Sequence, residues 1–317
     1  MKRYFTLFIF LISYSASILA QASLYEQYER EDLTMQDFNE VLGVLGKTII
    51  SFEDESLRIE NNEVFRTFLK RAIEQENSFE YDFDSVRTMS IIKSEDQKLR
   101  IYNWAFPYEN GTYTFYGFVQ LKTESGYRVI ELYDQSDIIT SYKYRSFYPE
   151  KWFGALYYNI LTRTHNDKTY YTLLGWDGNT TYTTKKIIDV LTIKHGEELE
   201  FGSPIFDLHT NVKPRPKRIP PAPYRMVYEF ASMVSMKLNW DDKERYIIMD
   251  HLSPLTSDKK EFAKYYGPDL TFDAFRWIDG KWSLFENVKA ANQNRVPEKK
   301  PYKRKNLKLL DFKKTKK

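Results

Sequence analysis

Cysteine is absent from all 317 residues, so the fold closes without a disulfide and no lipid-bearing cysteine can follow a leader. For an exported protein of this size, zero cysteines fit a bacterial periplasm or cell surface better than a eukaryotic secretory route, where disulfides are common. Glycine and proline are scarce, at twelve each, which excludes collagen-like and low-complexity readings. Past the first twenty or so residues, no apolar run approaches the ~20 residues that a membrane-spanning helix needs. Only four histidines are present, His165, His195, His209 and His251, and none stands in a two-histidine helical zinc spacing. No serine lies in a GxSxG pattern, so no nucleophile elbow is marked. The sequence asks for no metal and no cofactor.

The N-terminus carries the strongest pattern. Lys2 and Arg3 precede an apolar run from Phe5 to Leu19, and Ala20-Gln21-Ala22 supplies small residues at a cleavage site. The expectation is a signal peptide over residues 1–22, cut after Ala20 or Ala22, and a periplasmic or cell-surface location. Charge is unevenly spread along the rest. From Arg295 to Lys317, eleven basic residues face only Glu298 and Asp311, a balance of +9. Setting that tail and the +2 leader aside leaves a body at −8 within a chain of +3 overall. A solvated, disordered basic tail is expected over 295–317, available to an anionic surface; export argues against nucleic acid as its partner.

Residues 23–80 read as helical. Phe38, Val41, Leu42, Leu45 and Ile49 recur at three- and four-residue steps behind a capping pair, Thr34 and Asp37. A second helix follows, with Val64, Phe65, Phe68, Leu69, Ala72 and Ile73 on one face and Asn61 or Asn62 as its expected cap. Gly46-Lys47-Thr48 imitates the end of a phosphate-binding loop. The glycine that such a loop needs five residues before Gly46 is replaced by Val41, and a helix stands where the preceding strand should be.

From about Phe83 the apolar period falls from 3.6 to 2, so residues 81–294 are expected to form a mainly antiparallel β body, as a meander, sandwich or partial propeller-like array. Asn110-Gly111, Asp177-Gly178 and Asp279-Gly280 are strong two-residue hairpin signals, with weaker turns at 94–97, 125–126, 165–167 and 241–242. Five prolines between Asn211 and Tyr224 bar a central strand there, and an extended connection between two sheet regions is expected. The fold class is therefore α+β: two amphipathic helices, then an antiparallel body.

Chemistry is thinly marked. Asp250-His251 sits at a strand end, where a carboxylate and an imidazole could serve one pocket, although adjacent strand residues point to opposite faces. Asp177, Asn179 and Thr181 alternate like the start of a calcium loop but lack its further carboxylates, and turn chemistry explains them more simply. Aromatics are abundant, with 25 Tyr, 22 Phe and 6 Trp. Trp104, Trp176, Trp240, Trp277 and Trp282 all fall beside expected turns, where an indole can be half-exposed and stack on a sugar or a proline, or else close the end of a sheet.

The runs Tyr170-Tyr171-Thr172-Leu173-Leu174-Gly175-Trp176-Asp177-Gly178-Asn179 and Thr183-Thr184-Lys185-Lys186-Ile187-Ile188-Asp189-Val190-Leu191, with Asp250-His251-Leu252-Ser253-Pro254 and Tyr266-Gly267-Pro268-Asp269, resemble a group of uncharacterised exported proteins of Gram-negative bacteria. The resemblance implies export and carries no activity. Two readings follow. One is a non-catalytic envelope protein that binds a protein or glycan partner through turn-end aromatics. The other is a glycan-active hydrolase, which needs two carboxylates roughly 5 to 10 Å apart in an aromatic-lined cleft.

Overall fold

The structure is a computed structural model, and residues 30–209 and 218–288 are described. The expected leader over 1–22 and the basic tail over 295–317 lie outside the described residues.

Helix α1 spans Met35–Ser51 and opens with a full capping box: the Thr34 hydroxyl accepts from the Asp37 amide, and the Asp37 carboxylate accepts from the Thr34 amide. Phe38, Val41, Leu42, Leu45 and Ile49 form its buried stripe. Gly46, Lys47 and Thr48 lie inside this helix, not in a loop. Helix α2, Glu55–Ile73, begins earlier than expected. Asp54 caps it, its carboxylate accepting from the Ser56 and Leu57 amides. Asn61 and Asn62 are corrected from caps to buried mid-helix residues. Asn61 donates to the Leu57 carbonyl, and Asn62 accepts the Trp104 indole N–H at 2.8 Å.

The strands start at Ser90 rather than at Phe83, because residues 84–89 form turns packed along α1. Three sheets follow. The first runs in the order β1 (Ser90–Lys93), β2 (Leu99–Pro107), β3 (Tyr113–Thr123), β4 (Gly126–Tyr133). The second holds β5 (Leu156–His165), β6 (Lys168–Asp177), β7 (Thr183–Ile193) and β10 (Met226–Ala231), with β8 (Leu199–Phe201) also on β7. The third holds β11 (Leu238–Asp241), β12 (Tyr246–Pro254), β13 (Tyr266–Ile278), β14 (Lys281–Phe285) and β9 (Phe206–Asp207). All pairings are antiparallel except the short one of β14 with β9. Residues 218–224 of the proline-rich stretch belong to the link from β9 in the third sheet back to β10 in the second, and they form no strand.

Alternation along the strands stacks these layers in series. Tyr102, Trp104, Phe106 and Phe118 face the helices, while Ile101, Phe115, Val119 and Leu121 face the second sheet. There they meet Tyr157, Tyr171, Leu173 and Ile187. The other face of the second sheet, including Leu174, Ile188, Val190 and Phe230, packs on Leu238, Ile247, Met249, Phe275 and Trp282 of the third. Each such side chain contributes roughly 1.5–3 kcal/mol by leaving water.

The three hairpins form, by three different turns. Asp279 and Gly280 have φ of +48° and +77° between the paired Ile278 and Lys281, the two-residue turn expected. At Asn110-Gly111 the loop is wider: the Tyr108 amide bonds the Thr112 carbonyl, and only Gly111 has positive φ. After Asp177 the chain takes five residues to reach β7, and Asn179, not Gly178, holds the positive φ of +53°. Gly178 is needed for a different reason, close approach: a Cβ there would lie 2.1 Å from the Tyr113 ring.

Candidate functional site

At the end of the second sheet, where the 178–182 loop nears the Gly111 turn, an open cleft of about 600 Å³ is lined by Tyr113, Trp176, Thr184, Lys186, Phe230 and Met236, among others. Trp176 and Tyr113 meet edge to face, ring centroids 5.2 Å apart at 78°. Thr180, Thr181, Thr184, Ser232 and Ser235 belong to the lining, and no Asp or Glu does among the described residues. The Thr180 hydroxyl accepts the Tyr182 and Thr183 amides, and the Ser232 hydroxyl donates to the Thr181 carbonyl. Beside the cleft stand Tyr182, 70% exposed, and Met233, 96% exposed.

Lys185 and Lys186 follow each other on β7 and so point to opposite faces. Lys185 pairs with Asp177 at 3.3 Å and reaches the Asn179 side-chain oxygen at 2.6 Å. Asp177 also accepts the Asn179 amide. Burial nonetheless pushes the Asp177 carboxyl above the ordinary range, with the Lys185 charge opposing it. Asn179 donates onward to Thr183 and Glu229. The calcium-like alternation is thus a turn network closed by an amine. Lys186 lies in the cleft, between Trp176 on β6 and Tyr228 on β10 by strand register. Its Nζ is 4.6 Å from the Tyr158 ring centroid and 3.5 Å from the Tyr158 hydroxyl. Burial lowers its pKa, and no carboxylate stands within ion-pair reach among the described residues.

The remaining candidates scatter. Trp104 is buried between helices and first sheet, stacked on Tyr116, so the expectation of a half-exposed indole is corrected there. Trp282 is also fully buried and donates to Thr172. It forms the base of a cluster with Trp277 at 5.2 Å and Trp240 at 6.4 Å. Trp240 is half-buried, bonds Asp242 through its N–H, and lies under the Arg163 guanidinium at 4.7 Å. Asp250 and His251 do not meet. Asp250 accepts the Lys237 amide across β11–β12, whereas His251 Nδ1 lies 2.7 Å from Asp273 on β13. That bond raises the His251 pKa against the effect of burial.

A larger cleft, about 750 Å³, opens at the opposite end of the first and second sheets. Lysines rim it, but the Lys194 amine is neutralised by Glu200 at 2.6 Å and the Lys168 amine lies over the Tyr170 ring. Among the described residues no cluster of three or more His, Asp or Glu could hold a metal ion, and no helix is long and apolar enough to cross a membrane.

Lys186 was missed in the sequence. The signal was the doublet itself, because two adjacent lysines on a buried strand cannot both be served by one carboxylate. Compared with known proteins, the chain matches no family model, no curated protein and no solved structure.

Proposed function

We propose that this is an exported, non-catalytic binding protein of the cell envelope, and that the Trp176–Tyr113 cleft takes a saccharide. The observation that carries the reading is the lining: an indole and a phenol ring beside the hydroxyl-bearing residues Thr181, Thr184 and Ser235. Aromatic faces stack on the apolar faces of sugar rings, and hydroxyls exchange hydrogen bonds with sugar hydroxyls at small desolvation cost. The basic, apolar, Ala-x-Ala order of the N-terminus supports export. In the same reading the +9 segment over 295–317 engages anionic lipid headgroups at the envelope.

The hydrolase reading fares worse, because it needs paired carboxylates on the cleft wall and Asp177 is engaged by Lys185 and its own turn. The test is calorimetric titration of the full chain with neutral gluco-, galacto- and xylo-oligosaccharides, alongside an assay for new reducing ends. Saturable binding that weakens at least tenfold in Trp176→Ala, without cleavage, supports the proposal. Binding indifferent to Trp176, or release of reducing ends, overturns it.

A further inference from the structure

Several half-buried cations in this protein are answered by carboxylates, Lys185 by Asp177 and Arg66 by Glu63 and Glu131, whereas the half-buried Lys168 has an aromatic ring, that of Tyr170, over its amine. Lys186, more deeply placed and inside the candidate cleft, is likewise without a carboxylate among the described residues. Its amine has the Tyr158 ring and hydroxyl near it, and by strand register its neighbours are Trp176 and Tyr228, neither of which carries negative charge. An aromatic face compensates a cation only partly, and a carboxylate within hydrogen-bonding reach does far more. The body of the chain is acidic, so a counterion residue could readily have stood here.

We infer that Lys186 is the docking point for the anionic group of an acidic sugar, one carrying a carboxylate, held between the cleft aromatics. This rests on the saccharide reading above and names its substrate class. A single lysine is a compact point charge, suited to one monoanionic carboxylate. A phosphate monoester carries nearly two charges and three acceptor oxygens, and asks for an arginine fork or several donors together. The hydroxyls of Thr181, Thr184 and Ser235 then serve the sugar hydroxyls. The lowered pKa of Lys186 has a consequence in the same direction, since an incoming carboxylate restores the charged form that burial disfavours.

The experiment titrates the full chain with trigalacturonic acid and with its fully methyl-esterified counterpart, which keeps the rings and loses the charge. The acid is expected to bind at least tenfold more tightly than the ester, with a preference that shrinks as salt rises and as pH rises through the pKa of Lys186. Lys186→Met is expected to abolish the preference of acid over ester, and Lys186→Arg to retain it. Unchanged melting temperatures for both variants certify the fold. Equal binding of acid and ester, or a preference that survives Lys186→Met, overturns the inference. If that equal binding still needs Trp176, or if neither probe binds while a neutral oligosaccharide does so through Trp176, the saccharide reading stands alone; if no oligosaccharide binds, both fall.

Discussion

Arg225 and Lys186 are two cations of the second sheet, one at the start of β10 and one on β7 beside it, and the chain treats them in opposite ways. Arg225 is fully buried, and each of its three guanidinium nitrogens has an acceptor. It pairs with Asp189 at 3.2 Å, donates to the carbonyls of Tyr142, Arg145 and Phe201, and lies over the rings of Phe147 and Phe153. Asp189 in turn accepts from the Tyr157 hydroxyl, which accepts from the Trp152 indole. This hub ties the 142–153 segment to the second sheet. Lys186 is half-buried, open to a cleft, and has no counterion among the described residues. The charge that serves the fold is enclosed, with an acceptor at every nitrogen. The Lys186 amine, answered only by the Tyr158 ring and hydroxyl, is the one we infer to meet a ligand.

The largest effect is expected at the hub. Arg225→Met removes the partner of a buried carboxylate and the donor to the Tyr142 and Arg145 carbonyls, while the Phe201 carbonyl keeps the Phe147 amide; the loss costs about 3–5 kcal/mol in the urea midpoint analysis. A loss below about 1 kcal/mol would show that water replaces the guanidinium, and the contrast with Lys186 would collapse. A smaller effect is expected at the cleft wall. Gly178→Ala drives a Cβ into the Tyr113 ring. Such overpacking costs about 1–3 kcal/mol and displaces Tyr113 from Trp176, which a change in the near-ultraviolet circular dichroism of the aromatic pair would report. If stability and spectrum are both unchanged, Tyr113 is not fixed by that approach.

The division between fold and site explains what was legible in the sequence. Helix α1 announces itself through Phe38, Val41, Leu42, Leu45 and Ile49 and through the Thr34–Asp37 box, because those signals are local. The hairpins are local as well, although Asn179 and not Gly178 carries the left-handed residue of its turn. The contacts that define the site join residues far apart in the chain. Trp176 meets Tyr113 from 63 positions away, and Lys186 meets Tyr158 from 28. Proximity in sequence suggested Asp250 with His251, and strand alternation with a bulge after Asp250 separated them. Nearness to a turn did not say which tryptophans reach solvent. Trp104 and Trp282 point into layers that exist only because helices and sheets stack, whereas Trp176 sits where the stack ends.

The central claim is that the Lys186 amine is held for a ligand and contributes little to the fold. Urea unfolding of Lys186→Met tests it most directly. Methionine keeps the apolar stem, and the amine's interaction with the Tyr158 ring is worth only about 0.5–1 kcal/mol at a partly exposed site. The account predicts a stability within about 1 kcal/mol of the parent chain, unchanged or higher. A loss approaching the ~3–5 kcal/mol expected at the Arg225 hub would make the amine a structural element and contradict the account.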